Sequence, residues 1–171
     1  LDVPGAVFLQ DHTAGTFFRP QPGSPTLALG DVVRVIGRTA PGLYLPGLGP
    51  SQVEILSKGS LPRAIDANYE DLWEGRYHYQ RIALQGIVRS QAPVGESRSL
   101  FKLAAGSRVV EVRVEAPLEK DLVYIDRRVR VEGLAAGFIN ERRQLVQPYL
   151  WVSSWSHVTT EQLPASASDL P

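Results

Sequence analysis

The sequence predicts an all-β protein with one or two short helices, built as two related modules. One observation is the alternation of apolar and polar residues along short segments, clearest at residues 110–115 (VEVRVE). That period is typical of a strand with one buried face. The other is an internal repeat, since residues 33–37 (VRVIG) match residues 129–133 (VRVEG). Together they indicate two copies of one small β-module.

The first module begins with a hairpin signal. Two short apolar runs flank the turn DHTAG, and Asp11 is expected to cap this turn by accepting hydrogen bonds from backbone amides ahead of it. Phe17 and Phe18 are adjacent in the second run, so we expect one to be exposed and one to lie in the core. Loops rich in Pro and Gly are predicted at residues 19–25 and 40–50, with strands at residues 32–38 and 52–56.

The most persuasive helix runs from Asp66 to Gly75. Asp66 is a natural N-cap, and Gly75 is a natural stop. Tyr69, Leu72 and Trp73 share one side of this helix. We interpret it as the seam between the modules, with Trp73 filling the end of one of them.

The second module has the order strand, strand, strand, short helix, strand, strand. Its elements are predicted at residues 81–90, 100–104, 110–114, 117–124, 127–139 and 145–155. Five strands with a helix between the third and fourth is the order of an OB-fold, a small Greek-key barrel. An SH3-like barrel is the alternative and would lack the helix, while a β-sandwich needs more strands.

The first module matches this order but has no first strand. We therefore predict two tandem OB-like Greek-key barrels, the first lacking its first strand and partly open, with its edge covered by the linker or by the second module. The predicted organisation is a first module at residues 1–65, a helical connector at 66–80, a second module at 81–160 and a polar linker at 161–171.

Composition narrows the classes of function. Eighteen basic and eighteen acidic residues cancel, so no overall field draws the chain toward nucleic acid or an anionic membrane. Cysteine is absent, which excludes disulfides and thiolate metal sites. Methionine is absent even at position 1, so we expect a processed product or an excised piece. No apolar run has the length of a membrane span.

No catalytic or metal-binding signature is present. His12, His78 and His157 stand apart without paired ligand spacing, and we interpret all three as ordinary surface or edge residues. There is no nucleophile elbow, and no Gly-rich loop leads into a helix as a phosphate-binding loop does. The sequence predicts a protein that is not an enzyme and that needs no cofactor or metal.

The turn between the last two strands is the most functional-looking surface. Asn140, Arg142, Arg143 and Gln144 could hold a carboxylate, a phosphate or a sugar hydroxyl, although a well-solvated hairpin turn is the favoured explanation. Arg113 and Phe17 complete the candidate ligand-binding set, as the cation and the aromatic ring that single-strand binding would use.

Three aromatic residues near the end of the chain, Tyr149, Trp151 and Trp155, alternate along the last predicted strand. We expect them to share one face and to serve core or inter-module packing rather than sugar binding.

Four segments of the chain resemble a known protein family. The segments VFLQDHTAGTFF, LGDVVRVIGRT, YQRIALQGIVRS and VRVEGLAAGFINERRQLV are similar to the tandem OB-like repeats of large bacterial membrane-bound signalling proteins. In that family the repeats form the extracytoplasmic sensor region ahead of histidine-kinase or diguanylate-cyclase outputs. The family has no established ligand, so the resemblance transfers no binding residue.

The resemblance implies a non-catalytic extracytoplasmic sensor or interaction module, periplasmic and part of a larger membrane-anchored protein. It would bind an unknown small ligand or a neighbouring domain. The alternative is a single-stranded nucleic-acid-binding OB-fold protein, favoured by the fold and by a mild basic excess between residues 81 and 145. A structural spacer without any ligand is the third possibility.

Overall fold

The computed structural model describes residues 5–119 and 123–161. Twelve strands, one short α-helix and one 3₁₀ turn are formed by these residues. The strands are β1 (Val7–Gln10), β2 (Gly15–Pro20), β3 (Val32–Ile36), β4 (Thr39–Ala40), β5 (Gly47–Ser57), β6 (Ile65–Asp66), β7 (Arg81–Val94), β8 (Arg98–Ala105), β9 (Arg108–Val114), β10 (Arg128–Ile139), β11 (Leu145–Val152) and β12 (Val158–Thr160). Helix α1 spans Tyr69–Trp73, and the 3₁₀ turn spans Trp155–His157. None of the described helices is long and apolar enough to cross a membrane.

The second module is a closed five-stranded barrel. Its strands follow the order β7-β8-β9-β11-β10, and β10 pairs back onto β7 to close the ring. Neighbours are antiparallel except β9 and β11, which are parallel. This is the strand order of an OB-fold, so the predicted all-β, OB-like fold is confirmed.

The interior of this barrel is densely apolar. Inward-facing residues from all five strands have no measurable exposure, among them Ile82, Leu84, Leu103, Val112 and Leu150. At Gly86 a side chain would meet the carbonyl oxygen of Ala104 at 2.3 Å, so only glycine lets β7 pass this close to β8. Gly86 lies where the pairing of β7 changes from β10 to β8.

The first module repeats the same order with one strand missing. Its sheet runs β1-β2-β5-β3, with β2 and β5 parallel and the other neighbours antiparallel. These strands correspond to β8, β9, β11 and β10 of the second module. Within the described residues, no strand occupies the position that β7 holds in the second barrel. The predicted incomplete first barrel is therefore observed.

The two modules pack through a cluster of aromatic rings. Phe8 and Phe17 of the first module meet Tyr79, with centroid distances of 5.1 and 5.8 Å, and Phe8 lies 5.9 Å from Trp151. Phe17 and Phe18 are both fully buried, which corrects the expectation that one is exposed. Phe17 is buried because its outward-facing ring lies in this seam between the modules.

Two hydrogen bonds cross the same seam. The backbone N–H of Arg81 donates to the Gln10 side-chain oxygen at 2.7 Å. The guanidinium of Arg143 donates to the Gly42 carbonyl oxygen at 2.8 Å. The seam therefore runs from the start of β7 to the β10–β11 turn, which the first module contacts at Gly42.

The helix is shorter than predicted and begins later. Asn68, not Asp66, is the N-cap, and its side chain forms a reciprocal capping box with Asp71. Asp66 lies instead in β6 and pairs with Arg130. Leu72 is the buried residue of the helix, whereas Trp73 is 51% exposed, so Trp73 does not fill the end of a barrel.

Trp155 takes the barrel-end position expected of Trp73. Its ring stacks on Phe101 at 5.8 Å and on Tyr124 at 5.5 Å. Trp155 lies in the 3₁₀ turn after β11 has ended, so it does not share the strand face of Tyr149 and Trp151 as expected. Its hydrophobic contacts close one end of the second barrel.

Two further expectations differ from the structure. Strand β5 begins at Gly47, inside the segment 40–50 predicted as loop. Its first residues, including the buried Gly47 and Gly49, lie between β2 and β4 and pair with both strands. The predicted helix at 117–124 is not formed at its described residues 117–119 and 123–124, and residues 120–122 lie outside the description. The predicted linker lies outside it beyond Glu161.

Candidate ligand cleft between the two modules

A cleft of about 430 Å³ lies along the seam, and we call it the inter-module cleft. One wall is strand β1, and the opposite wall is formed by β10, β11 and the residues after β11. Loop residues close its ends. The first module contributes Ala6, Val7, Phe8, Leu9, Gln10, Leu29, Leu61 and Pro62, and the rest are Tyr79, Arg81, Glu115, Glu132, Gly133, Leu134, Trp151, Ser153 and His157.

Apolar groups dominate the walls of the cleft. The Phe8 and Trp151 rings form a T-shaped pair with an interplanar angle of 80°. Leu134 and Leu29 add aliphatic surface, and Leu29 is 71% exposed. At Gly133 a side chain would meet the Trp151 carbonyl oxygen at 2.6 Å, so this glycine brings β10 close to β11 beside the cleft. An apolar body fits such walls.

One polar cluster stands inside the cleft around Arg81. Its guanidinium donates to Glu132 at 2.6 Å and to the Pro62 carbonyl oxygen at 2.7 Å, and it approaches His157 Nδ1 at 3.4 Å. The Arg81 side chain is only 17% exposed. Because the ion pair is partly desolvated and fixed from three directions, it presents a preorganised polar end to the cleft.

The Arg81 cluster continues outside the cleft as a chain of alternating charges. Glu132 also accepts from Arg130, and Arg130 pairs with Asp66 on β6, a strand that pairs with β7. Hydrogen bonds to Asp66 and Glu132 raise the pKa of Arg130. This ion-pair network contains two acids, Asp66 and Glu132, and two bases, Arg81 and Arg130. It therefore orients these side chains without adding net charge at the cleft.

A second polar group holds the indole of Trp151. Its Nε1–H donates to Glu115 at 2.7 Å, and Glu115 also pairs with Arg98 at 3.2 Å. The indole ring is thereby fixed as one wall of the cleft. The cleft thus combines a rigid aromatic wall with one polar end, the arrangement that orients a small ligand.

The residues predicted to bind a ligand at the β10–β11 turn serve the turn itself. The Asn140 side chain accepts from the backbone N–H groups of Arg142 and Gln144 at 3.0 and 2.9 Å and donates to the Gln144 side chain at 3.0 Å. Arg143 has a positive φ of 62° and bonds across the seam to Gly42. Ligand binding at these residues stays a prediction.

Arg113 and Phe17 are also engaged in contacts. The Arg113 guanidinium lies 4.4 Å from the centroid of the Phe138 ring and 4.1 Å from that of Tyr149, and it pairs with Glu111 at 2.8 Å. Phe17 lies in the seam and is 1% exposed. Of the six predicted site residues, none lines the inter-module cleft.

Sequence reasoning missed the cleft because its walls come from distant segments. Strand β1, two loops of the first module and strands β10 and β11 meet only after the modules pack. Trp151 and Phe8 have local signals of buried aromatic residues, but neither indicates a partner across the seam. The Arg81–Glu132 pair joins two antiparallel strands diagonally, since Arg81 lies opposite Leu134, two positions from Glu132, and a single sequence does not reveal this register.

The outer face of β8 and β9 is the surface that OB-folds use for single-stranded nucleic acid. Arg98 and Lys102 are exposed on this face, whereas Arg108, also exposed, lies opposite Ala105 on the face of β9 that carries the buried Val110 and Val112. Acidic residues stand beside them, since Lys102 lies opposite Glu111 in the strand register and Arg98 pairs with Glu115. The face therefore has mixed charge.

Two ionisable groups have strongly shifted pKa values. Burial lowers the pKa of His78 from 6.5 to about 4, and its ring packs against Tyr44 and Tyr79 at 4.7 and 4.3 Å. His78 is thus a buried residue, not the surface or edge residue expected. Hydrogen bonds from the Thr13 side chain and from backbone amides lower the pKa of Asp11 to about 2, as its expected capping role requires.

No three His, Cys, Asp or Glu side chains converge into a metal-binding group within residues 5–119 and 123–161. The polar side-chain groups of the lining residues are one guanidinium, two carboxylates, one amide, two hydroxyls, one imidazole and one indole N–H. Such a set suits hydrogen bonding to the polar end of an organic molecule.

Comparison with known proteins yields only distant structural likenesses. No protein-family model and no curated protein matches the chain. A provisionally assigned aspartyl-tRNA synthetase from Leishmania major Friedlin is 12% identical, with a TM-score of 0.43 over 66% of this chain and 23% of that chain. The tetrameric p202 HIN2 gives 14% identity and a TM-score of 0.40 over 68% of this chain and 59% of that chain.

A third structure, a murine DNA binding protein bound with ds DNA, gives 12% identity and a TM-score of 0.42. The match covers 94% of this chain and 87% of that chain. At scores this low, none of the three likenesses carries a functional argument. The OB-like class of the chain therefore rests on its own strand order.

Proposed function

We propose that this chain is a non-catalytic ligand-binding module. Its inter-module cleft takes a small molecule with an apolar body and one polar end. The observation that carries the proposal is a cleft of about 430 Å³ with aromatic and aliphatic walls and a single fixed polar cluster at Arg81. This size lies within the range of about 300–1,000 Å³ typical of small-molecule sites.

The biological setting in this proposal follows the family resemblance. The chain belongs to the extracytoplasmic, periplasmic sensor region of a larger membrane-anchored bacterial signalling protein, and it transmits binding to a neighbouring domain. The position of the cleft supports this role, because a ligand there contacts both modules at once. Such a ligand stabilises one relative placement of the modules over others.

A thermal-shift panel of aromatic and aliphatic molecules, each with one polar end, tests ligand binding. A compound at a hundred times its dissociation constant should add about 2.7 kcal/mol to the free energy of unfolding. Leu134→Trp fills the cleft and should abolish the shift. Leu56→Trp is the matched control, because Leu56 is exposed and does not line the cleft. Shifts that persist in Leu134→Trp would rule out the cleft as the site.

The second candidate function is single-stranded nucleic-acid binding on the outer face of β8 and β9. The exposed cations Arg98 and Lys102 on this face favour it. Fluorescence anisotropy with a labelled oligothymidine at low and high salt tests it, since neutralised phosphates make binding salt-dependent. Lys102→Glu should weaken binding and reduce the salt slope, whereas Lys58→Glu in the first module should not. Absence of binding at low salt would end this candidate.

A further inference from the structure

The two modules differ in one structural respect. In the second barrel, β7 lies between β8 and β10 and pairs with both. In the first module, the corresponding strands β1 and β3 are the two ends of the sheet, and each has a single neighbour among the described residues. We call the space between β1 and β3 the strand gap.

The second barrel supplies a template for what fits this gap. There, Gly86 lies opposite Val129 and Leu84 lies opposite Val131, with the strands antiparallel. The internal repeat places Val33 and Val35 at the positions of Val129 and Val131. A strand in the gap would therefore place a glycine opposite Val33 and an aliphatic residue opposite Val35.

The hairpin beside the gap follows the same template. Leu9 pairs with Thr16 on β2 as Leu103 pairs with Val110 on β9. Leu103 faces the closed interior of its barrel and has no exposure, whereas Leu9 is only partly buried. Strand β1 thus has an inward apolar face whose covering strand is lacking among the described residues.

The inward-facing residues of β3 are also less buried than their counterparts in the second barrel. Val129 and Val131 are fully buried in the complete barrel, whereas Val33 and Val35 are only partly buried. Val32 and Ile36 on the same strand are 47% and 63% exposed. Free edges with a half-exposed apolar face invite pairing with another strand.

We propose that the strand gap is a docking site for an extended peptide segment, which joins the sheet antiparallel to both β1 and β3. The segment has apolar side chains at alternate positions and a glycine near its middle. It covers the four residues of β1 and the five residues of β3. Main-chain hydrogen bonds provide affinity, and the inward side chains provide specificity.

This inference goes beyond ligand binding in the inter-module cleft. The gap uses β3, which does not line the cleft, although both sites share the edge of β1. Substitutions on β3 therefore test the gap without changing the lining of the cleft.

The probe is a synthetic peptide with the sequence of residues 81–90 (RIALQGIVRS), the part of β7 that fills the equivalent position. Fluorescence anisotropy of the labelled peptide with the full chain should give a dissociation constant below about 1 mM. The same peptide with Leu84→Asp and Val88→Asp is the control. It should not bind, because both inward side chains are replaced by charges.

Variants of β3 locate the binding site. Val35→Glu places a charge on the inward face and should weaken binding about tenfold or more. Ile36→Glu is the matched control on the outward face of the same strand and should bind like the unmodified protein. Circular dichroism of both variants checks that they fold.

Hydrogen exchange on the unmodified protein keeps the test independent of how the variants fold. Bound peptide should slow exchange of amides in β1 and β3 about tenfold or more and leave β8 and β9 unchanged. Three results would overturn the inference: no binding, binding without protection of β1 and β3, or a peptide-free dimer that itself protects these strands. The last would assign the gap to a second copy of the chain.

Discussion

His78 lies 4% exposed between two tyrosine rings at the seam. Burial disfavours its charged form, which lowers its pKa to about 4. Above pH 6.5 the residue is neutral in both the folded and the unfolded chain. Between pH 6.5 and 4 only the unfolded chain binds the proton, so stability falls as the pH is lowered through this window.

We expect acid to destabilise the protein by up to about 3 kcal/mol through His78 alone, with the loss complete near pH 4. Urea unfolding at a series of pH values measures it. His78→Phe keeps an aromatic ring in the site and should remove most of the slope between pH 6.5 and 4. His12→Gln, in an exposed turn, should retain the slope. An unchanged slope in His78→Phe would show that another group causes the loss.

Leu72 and Trp73 make a second comparison between single residues. Leu72 is buried in the core of the second module, whereas Trp73 is half-exposed and stacks only on Tyr69. Leu72→Ala should cost about 2–5 kcal/mol of unfolding free energy. Trp73→Ala should cost about 1 kcal/mol or less. Urea denaturation of both variants measures which substitution lowers the free energy of unfolding more. A larger loss in Trp73→Ala would contradict the account, because it would make Trp73 the main packing residue of the helix.

Strand β5 shows why some elements escape sequence reasoning. Its first residues read as a Pro- and Gly-rich loop, yet Gly47 and Gly49 lie buried in a strand that joins β2, β3 and β4. Gly47 allows the backbone of β5 to lie close to the Phe17 ring, because a side chain at this position would meet the ring at 2.5 Å. A single sequence shows the glycines but not the ring from β2 that requires one of them.

Two glycines of β5 give a matched prediction. Gly47→Ala should cost about 1–3 kcal/mol of stability, because its new methyl group overlaps the Phe17 ring. Gly49→Ala should be close to neutral, since its nearest neighbour is the Ala40 side chain at an ordinary 3.6 Å. Thermal unfolding of both variants measures the difference. Equal costs would mean that packing against Phe17 does not explain Gly47.

The strands of the second barrel were predictable because each has a local signal, whereas the helix predicted at 117–124 is not formed at its described residues. Alternation marks β9 and β10, turn residues separate the strands, and the order alone defines the OB-like fold. Contacts between the modules had no such signal. The turn at Asn140 resembles a binding loop in sequence, but in the structure its polar atoms complete the turn and the seam. The inter-module cleft arises from packing and could not be predicted.

The whole molecule joins a complete barrel to an incomplete copy of itself. The second barrel has a continuous core, whereas the first module has few fully buried side chains and depends on the seam for its aromatic packing. Phe8, Phe17 and Tyr79 unite the modules, and the hydrogen bonds at Gln10 and Gly42 fix their relative placement. Both the proposed ligand cleft and its proposed signalling role require a rigid seam.

Backbone ¹⁵N relaxation by NMR on the whole chain tests that requirement most directly. If the seam is rigid, amides of β1 to β5 and of β7 to β11 will report one rotational correlation time, as a single body does. Two different and shorter times would show that the modules tumble independently. In that case the inter-module cleft would not persist in solution, and the proposed ligand-binding function would be contradicted.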